Sequence, residues 1–308
     1  MTTPDTNTDK VIYEDEIDLK QLFEAIWKGK FFIILVTTIV AISSIFYALS
    51  LTNYFTSEAV LVSRDSQNSS PISQFSDIAS LAGLGAISGQ SNSTFKMIEI
   101  IKSRDFVRHL VSFDEVLPSL LAYDRHDFGE GKLYFNSEDY DADEKKWVRQ
   151  STANKSAIPS YLEAHQAYGK MLSINQDKIT GFVNIKFEHV SPVFAERFLA
   201  LIIKEANSLN REKDIADSKA ALEYLTKELS QTSKVDIKNS INLLIEGQLE
   251  TQMMASIHEE YSLVILEPPF VPEKRSRPTR SLIVIISTLL GGIFSVILVL
   301  LRHFSSSK

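Results

Sequence analysis

The sequence predicts an α+β protein in which two transmembrane helices flank one large water-exposed domain built around a very long helix. Three observations predict it. Two stretches near the ends are apolar and free of charge, the region between them contains strand-like alternation, and the run from Pro192 to about Gln231 holds no further proline or glycine.

The hydrophobic share of the 308-residue chain is ordinary at 44%, so two nearly pure hydrocarbon stretches leave the remainder more polar than that average suggests. The formal net charge of −7 argues against nucleic acid as a partner, because phosphate binding needs a concentrated basic face. The chain contains no cysteine, which excludes disulfides, thiolate metal sites and cysteine nucleophiles without selecting a compartment.

The first apolar stretch, residues 31–51, reads FFIILVTTIVAISSIFYALSL, and no charge occurs between Lys30 and Glu58. About 20 apolar residues rising 1.5 Å each cover the ~30 Å hydrocarbon layer. The second stretch, residues 281–301, is equally free of charge after Ser281 and is bracketed by Arg280 and Arg302. A cleaved signal peptide is the alternative for the first stretch, with Ala48-Leu49-Ser50 as a cleavage-like sequence. The long acidic segment before it and the length of its apolar core oppose that reading.

Lysine and arginine near the ends suggest the orientation. Lys20, Lys28 and Lys30 precede the first span, and only Arg64 follows at a comparable distance, which places the N-terminus in the cytoplasm. Around the second span the signs run the other way, with Lys274, Arg275, Arg277 and Arg280 before it and Arg302 and Lys308 behind. The first span usually dominates, and the loop between the spans is too long for the charge rule to govern. Both termini are therefore expected in the cytoplasm.

Both spans carry small residues at near-helical spacing. Ser287, Gly291 and Ser295 follow a four-residue step, and Thr37, Ala41, Ser44 and Ala48 form a looser stripe. Small side chains let helix backbones approach in lipid, so helix pairing within or between subunits is expected, against the plainer fact that such residues are common in membrane helices.

Residues 1–10 are polar and expected to be disordered. Leu19, Leu22, Phe23 and Ile26 then recur at helical spacing, with Trp27, Lys28 and Lys30 beyond, as in an amphipathic helix on the cytoplasmic face. After the first span, residues 56–63 read as a strand, a serine-rich polar stretch follows to about residue 94, and residues 94–111 read as one amphipathic helix. That helix carries Met97, Ile100, Ile101, Val107 and Leu110 on its apolar face and Phe106 near the edge.

Residues 112–177 show no regular pattern. Residues 179–190 alternate Val183, Ile185 and Phe187 with Phe182, Asn184 and Lys186, a half-buried strand. Ser191-Pro192 caps the long helix, roughly 60 Å at 1.5 Å per residue. Its first half holds Phe194, Phe198, Leu201 and Ile202, whereas its middle, NSLNREKD, is polar. Such a helix cannot pack wholly on one small core, so it projects into solvent or packs on neighbouring subunits. Residues 235–260 read as a second helix, with Ile237, Ile241, Leu244 and Ile257 on one side, returning antiparallel, and residues 261–266 as a last strand. Pro268, Pro269, Pro272 and Pro278 forbid regular helix in the segment leading to the second span.

No catalytic constellation emerges. Gly83, Gly85 and Gly89 form GxGxxxG without a preceding strand, which reads as a flexible loop. Asp139, Asp141 and Asp143 imitate a calcium loop, but Glu144 and Gln150 stand where glycine and glutamate are needed, so a solvated acidic loop is expected. The six histidines are scattered without metal spacing, and no GxSxG elbow occurs.

The chain resembles the polysaccharide co-polymerases, the Wzz-type chain length determinant proteins of Gram-negative inner membranes. The resemblance rests on EIDLKQLFEAIWKGK before the first span and on SLAGLG ahead of the helix containing IKSRDFVRHL. It also rests on the passage from TGFVNIKFEHV through SPVFAERFLALIIKEANSLNREKDIADSKAALEYLTKEL, and on EPPFVPEKRSRPTRSL leading into a glycine-bearing second span. These features cover the chain nearly end to end, and their order is more specific than any one of them.

The resemblance implies a periplasmic α/β base domain near the membrane with a long projecting helix. It further implies ring-like homo-oligomers that control how many repeat units a membrane-embedded polysaccharide polymerase adds to a lipid-linked glycan. The expected division is a cytoplasmic tail over 1–30, spans over 31–51 and 281–301, a periplasmic co-polymerase domain over 52–280, and a cytoplasmic tail over 302–308. Only RHFSSSK follows the second span, with no kinase domain, which favours the lipopolysaccharide O-antigen branch.

The expected function is thus non-enzymatic control of surface polysaccharide chain length at the inner membrane, with membrane lipid as a contact and no cofactor, metal or nucleic acid. An alternative is a membrane adaptor for a separate tyrosine kinase in capsule or exopolysaccharide export, against which the short tail counts. A two-span sensor is a third reading and lacks a signalling output. The expected interaction surface comprises Pro268, Pro269, Pro272 and Pro278 with Ser287, Gly291 and Ser295, positioning the second span for subunit or polymerase contact. A merely structural proline linker is the plain alternative.

Overall fold

The computed structural model describes residue 23 and residues 26–64, 89–129, 131–152 and 156–306. The expectations of a disordered start, of an amphipathic stripe through Leu19 and Leu22, and of a flexible loop at Gly83 and Gly85 lie outside the described residues. The chain forms two compact units, one of Met1–Leu51 with Arg277–Lys308 and one of Thr52–Ser276.

Among its described residues the smaller unit holds the first span over Lys30–Ser50 and the second over Arg280–Ser306. The larger unit opens with β1 (Phe55–Ser63), α1 (Gly89–Lys102), α2 (Arg104–Leu110) and α3 (Val116–Leu121). The short strands β2 (Tyr123–Asp127), β3 (Lys132–Phe135), β4 (Tyr140–Asp141) and β5 (Lys146–Trp147) follow. It closes with α4 (Tyr161–Met171), β6 (Leu172–Gln176), β7 (Val183–His189), α5 (Pro192–Gln231), α6 (Val235–Ile257) and β8 (Leu263–Glu267).

A four-stranded sheet in the order β6-β7-β1-β8 is antiparallel throughout. Successive strand residues face opposite sides, and the register makes the two sides chemically distinct. Val183, Ile185, Phe187 and His189 of β7 are buried, as are Phe55, Ser57, Ala59 and Leu61 of β1. On the other side Glu58 lies opposite Lys186, and their side chains meet at 2.7 Å while half exposed. One face packs and the other is wet, as antiparallel sheets allow. The expected strand over 179–190 starts only at Val183. Its first residues are taken by a turn in which the Asp177 carboxylate accepts the Ile179 and Thr180 amides and Gly181 adopts φ +75°.

The long helix α5 is continuous over 40 residues. Pro192 starts it, and the Ser191 hydroxyl accepts the Phe194 amide at 3.3 Å. Ala195, Phe198, Leu199, Ile202, Ile203 and Ala206 then form a buried stripe at helical spacing, joined in one core to Leu61, Ile185, Phe187 and Leu263 of the sheet. The core also takes Met97, Ile101, Phe106 and Leu110 from α1 and α2, and Ala164 and Tyr168 from α4.

The polar middle of α5 does not mark where the helix leaves the core. Asn207 and Asn210 are buried there. Asn207 Oδ1 accepts the amides of Ser262 and Leu263 at 2.9 Å each, and its Nδ2 donates to the Leu263 carbonyl at 2.9 Å. The Asn207 side chain thus satisfies backbone groups at the start of β8 as another strand would. Beyond it, among the described residues of α5, Ser218 is the one buried position past Asn210.

The single helix expected over 94–111 is broken. Ser103 has extended backbone and its hydroxyl accepts the Phe106 amide, so it caps a new helix, α2. The redirection carries Phe106 from the expected edge into the core, where it is 2% exposed. Residues 112–177, which showed no periodicity, hold α3, two small hairpins, α4 and β6. Ser160 and Glu163 start α4 as a reciprocal capping box.

Thr232 and the two residues after it turn the chain from α5 into α6, and the two helices pack against each other as expected. The apolar stripe expected to face α5 does so only in part. Ile241 is buried, but Ile237, Leu244 and Ile257 are exposed, along with Leu243, Leu249 and Met253. Apolar residues lie around much of α6, so pairing with one helix covers only one of its sides.

Replacing Asn207 with leucine keeps the volume but strands the Ser262 and Leu263 backbone groups. At about 1–3 kcal/mol per unsatisfied buried group, a loss of several kcal/mol is expected in denaturant unfolding of the detergent-solubilised chain.

Candidate functional site

The two spans run antiparallel, with Gly29 against Val299 at one end and Ala48 beside Arg280 and Val284 at the other. Between them Gly291 faces Val40, and a Cβ built on Gly291 would lie 2.8 Å from a Val40 methyl. Ser295 and Gly291 are buried on the second span, and Ser44 and Ala48 on the first. The two small-residue stripes therefore meet within one chain, whose bulky residues turn outward: Ile34, Leu35, Ile39 and Phe46 on one helix, Leu289, Leu290, Ile293 and Phe294 on the other. Small groups inside and large apolar groups outside is the arrangement suited to lipid, the reverse of a water-soluble helix pair. Ser295 and Ser44 direct their hydroxyls to the Gly292 and Ala41 carbonyls of their own helices, which leaves no polar group of theirs unmatched in an apolar layer.

The proline-bearing segment is extended. Ser57 Oγ donates to the Phe270 carbonyl at 2.8 Å, and the Ser276 amide donates to the Tyr54 carbonyl at 2.8 Å, so the segment runs alongside the start of β1. Pro272 is buried, Pro269 and Pro278 are intermediate, and Pro268 is exposed. The structure thus separates the sequence-derived candidates. Ser287, Gly291 and Ser295 lie on the span pair, and Pro268, Pro269 and Pro272 lie on the other unit.

The remaining candidate chemistry is absorbed by structure. Asp141 Oδ1 accepts the Asp143 and Glu144 amides, and Asp139 accepts from Asn136, which turns the acidic loop back on itself. No group of three metal-ligating side chains occurs among the described residues. His109 Nε2 meets Glu205 at 2.8 Å, and His165 bonds the Lys102 carbonyl.

His189, the last residue of β7, is the most buried of them. Its Nδ1 accepts the Ser191 amide at 3.1 Å and its Nε2 lies 2.8 Å from the Ser119 carbonyl. An amide can only donate and a carbonyl only accept, so the ring is the neutral Nε2–H tautomer. Burial pulls its pKa from 6.5 down to about 4. Phe194 and Tyr123 pack on its ring at 4.6 and 4.8 Å. The ring thereby joins the sheet, α3 and the start of α5.

Next to this junction is a cavity of about 460 Å³, bounded by α3, the two small hairpins and the first turns of α5. Its floor includes Phe135, Tyr140, Phe194 and Phe198, and its rim carries Asp114, Glu115, Lys132, Lys145 and Arg197. Periodicity could not have found it, because its walls come from the region without a repeating pattern.

Residues 15–112 match the family model described as Wzz, chain length determinant protein. Over that segment the chain is similar to that family. The matched stretch takes in the first span, β1, α1 and α2, together with residues outside the described set. A comparison with curated proteins gives no match. Among solved structures the chain is similar to a full-length bacterial polysaccharide co-polymerase at 15% identity, covering 94% of this chain and 99% of that one with a TM-score of 0.41. It is also similar to a fragment of WzzB, a polysaccharide co-polymerase from Salmonella Typhimurium, at 15% identity, covering 73% of this chain and 100% of that one with a TM-score of 0.32.

Because the chain lacks cysteine, paired cysteines can report the span contact without background. Thr37 Oγ1 lies 3.9 Å from where a Gly292 Cβ would be, so a Thr37→Cys, Gly292→Cys chain should cross-link within itself when membranes are oxidised. Adding Gly291→Leu, which drives a side chain into Val40, should abolish the cross-link. A second prediction concerns acid. The folded pKa of His189 lies below the unfolded value, so the unfolded state binds more protons between them and stability falls as pH drops from about 6.5 to about 4. The full effect is on the order of 3 kcal/mol, and a His189→Gln chain should show a flatter pH profile over that window in urea unfolding.

Proposed function

We propose that this chain is an inner-membrane regulator of surface polysaccharide length, acting on lipopolysaccharide O-antigen as a homo-oligomer alongside a membrane-embedded glycan polymerase. The observation that carries the reading is the chain length determinant match over residues 15–112. The family is one of polysaccharide chain length co-polymerases, and two helices long and apolar enough to cross a membrane fit that setting.

In this reading both termini are cytoplasmic, the unit of Thr52–Ser276 is periplasmic, and the protein regulates rather than catalyses. The polymerase extends a lipid-linked glycan, and the regulator biases where extension stops. Exposed Leu243, Leu244, Leu249 and Met253 on α6 support an assembly of several copies, since a soluble surface gains nothing from such a patch. The segment bearing Pro268, Pro269, Pro272 and Pro278 leads along the chain into the second span, on which Ser287, Gly291 and Ser295 form the small-residue stripe. Both would transmit movement of the periplasmic unit toward a polymerase in the bilayer.

Deleting the gene and resolving the cell's lipopolysaccharide on a gel is expected to abolish or shift the modal O-antigen length. An unchanged ladder would remove the O-antigen assignment.

A further inference from the structure

Four described residues have positive φ, and three of them line the same cavity: Glu115 at 71°, Lys145 at 52° and Gly131 at 66°. Glutamate and lysine adopt this region only against a steric cost, and such costs concentrate where a fold clamps a ligand. The cavity's volume of about 460 Å³ lies within the ~300–1,000 Å³ range of small-molecule sites.

The lining has two chemistries. The floor is aromatic, and Phe194, Arg197, Phe198 and Leu201 share one face of α5, since they stand at helical spacing. The rim is charged and unspent. Among the described residues Asp114, Glu115, Lys145 and Arg197 make no ion pair and no side-chain hydrogen bond. Asp114 and Glu115 line the cavity together with Tyr140, whose phenol pKa is raised first by burial and further by the Glu115, Asp114 and Asp141 carboxylates.

We propose that this cavity binds a short saccharide segment carrying a carboxylate, with the sugar's C–H face on the aromatic floor, its hydroxyls donating to Asp114 and Glu115, and its carboxylate on Arg197 and Lys145. A planar guanidinium suits a carboxylate. A polyphosphate or nucleotide is disfavoured, because it would meet two carboxylates at the rim. A purely apolar ligand would leave the charges unmatched. The inference rests on the length-control reading only for its biological sense, because it places a recognition point for the growing glycan on the regulator itself.

Trp147 packs edge-on against Tyr140 with ring centroids 5.2 Å apart, which makes it a reporter for the floor. The chain has two tryptophans, so a Trp27→Phe background isolates it. The detergent-solubilised full chain is titrated with digalacturonate and, separately, with lactose. A saturable fluorescence change is expected with digalacturonate, with lactose at least tenfold weaker, equivalent to about 1.4 kcal/mol. Arg197→Ala should weaken digalacturonate at least tenfold, and because Arg197 is exposed its thermal midpoint should not move.

Equal binding of both sugars overturns the carboxylate assignment, and an Arg197→Ala chain of unaltered affinity overturns the anchor. A silent titration overturns the cavity as a saccharide site even where gene deletion collapses the glycan ladder, leaving length control standing. Saturable binding with an unaltered ladder does the reverse.

Discussion

The pairing of β1 with both β7 and β8 is the constraint on which the larger unit depends. A central strand needs partners on both edges to satisfy its backbone groups, and here one partner comes from the middle of the chain and the other from just before the second span. Because side chains alternate along a strand, fixing this register also fixes which residues face α5. Phe55, Ala59 and Leu61 are then buried together with Val183, Ile185 and Phe187. A one-residue slip of β1 would put Glu58 toward the core and turn Phe55, Ala59 and Leu61 to water.

Two packing regimes coexist in the chain. In the larger unit, large aromatic residues close the core, with Phe187, Phe194 and Phe198 within about 6.5 Å of one another. Between the spans the logic is inverted, and absence of bulk brings the helices together, as Gly291 under Val40 shows. Water drives the first kind of contact, whereas close backbone approach and van der Waals packing drive the second.

Much of this was legible in residue order because the signals are local. Period-two alternation around Ile185 marked β7, Ser191-Pro192 marked the start of α5, and uninterrupted hydrocarbon marked both spans. What escaped was decided by tertiary contact. Ser103 was invisible as a break because lysine and arginine flank it within an otherwise helical pattern, and only its hydroxyl bond to the Phe106 amide shows the cap. Asn207 looked like solvent-facing polarity, yet its amide substitutes for a strand. The Ser160–Glu163 capping box was readable in principle and was lost in a segment without periodicity. The cavity behind Tyr140 had no linear signature, since its walls converge only once α3, the hairpins and α5 have docked.

The distance along the chain between strand partners bears on biogenesis. β1 follows directly after the first span, but its partner β8 is separated from it by about 200 residues, which a ribosome adds at ~5–20 residues per second. For tens of seconds the nascent protein thus presents one side of a central strand without its final neighbour. Nothing in the finished sheet records that interval, yet it is when a holdase or a sister chain has its opportunity to bind.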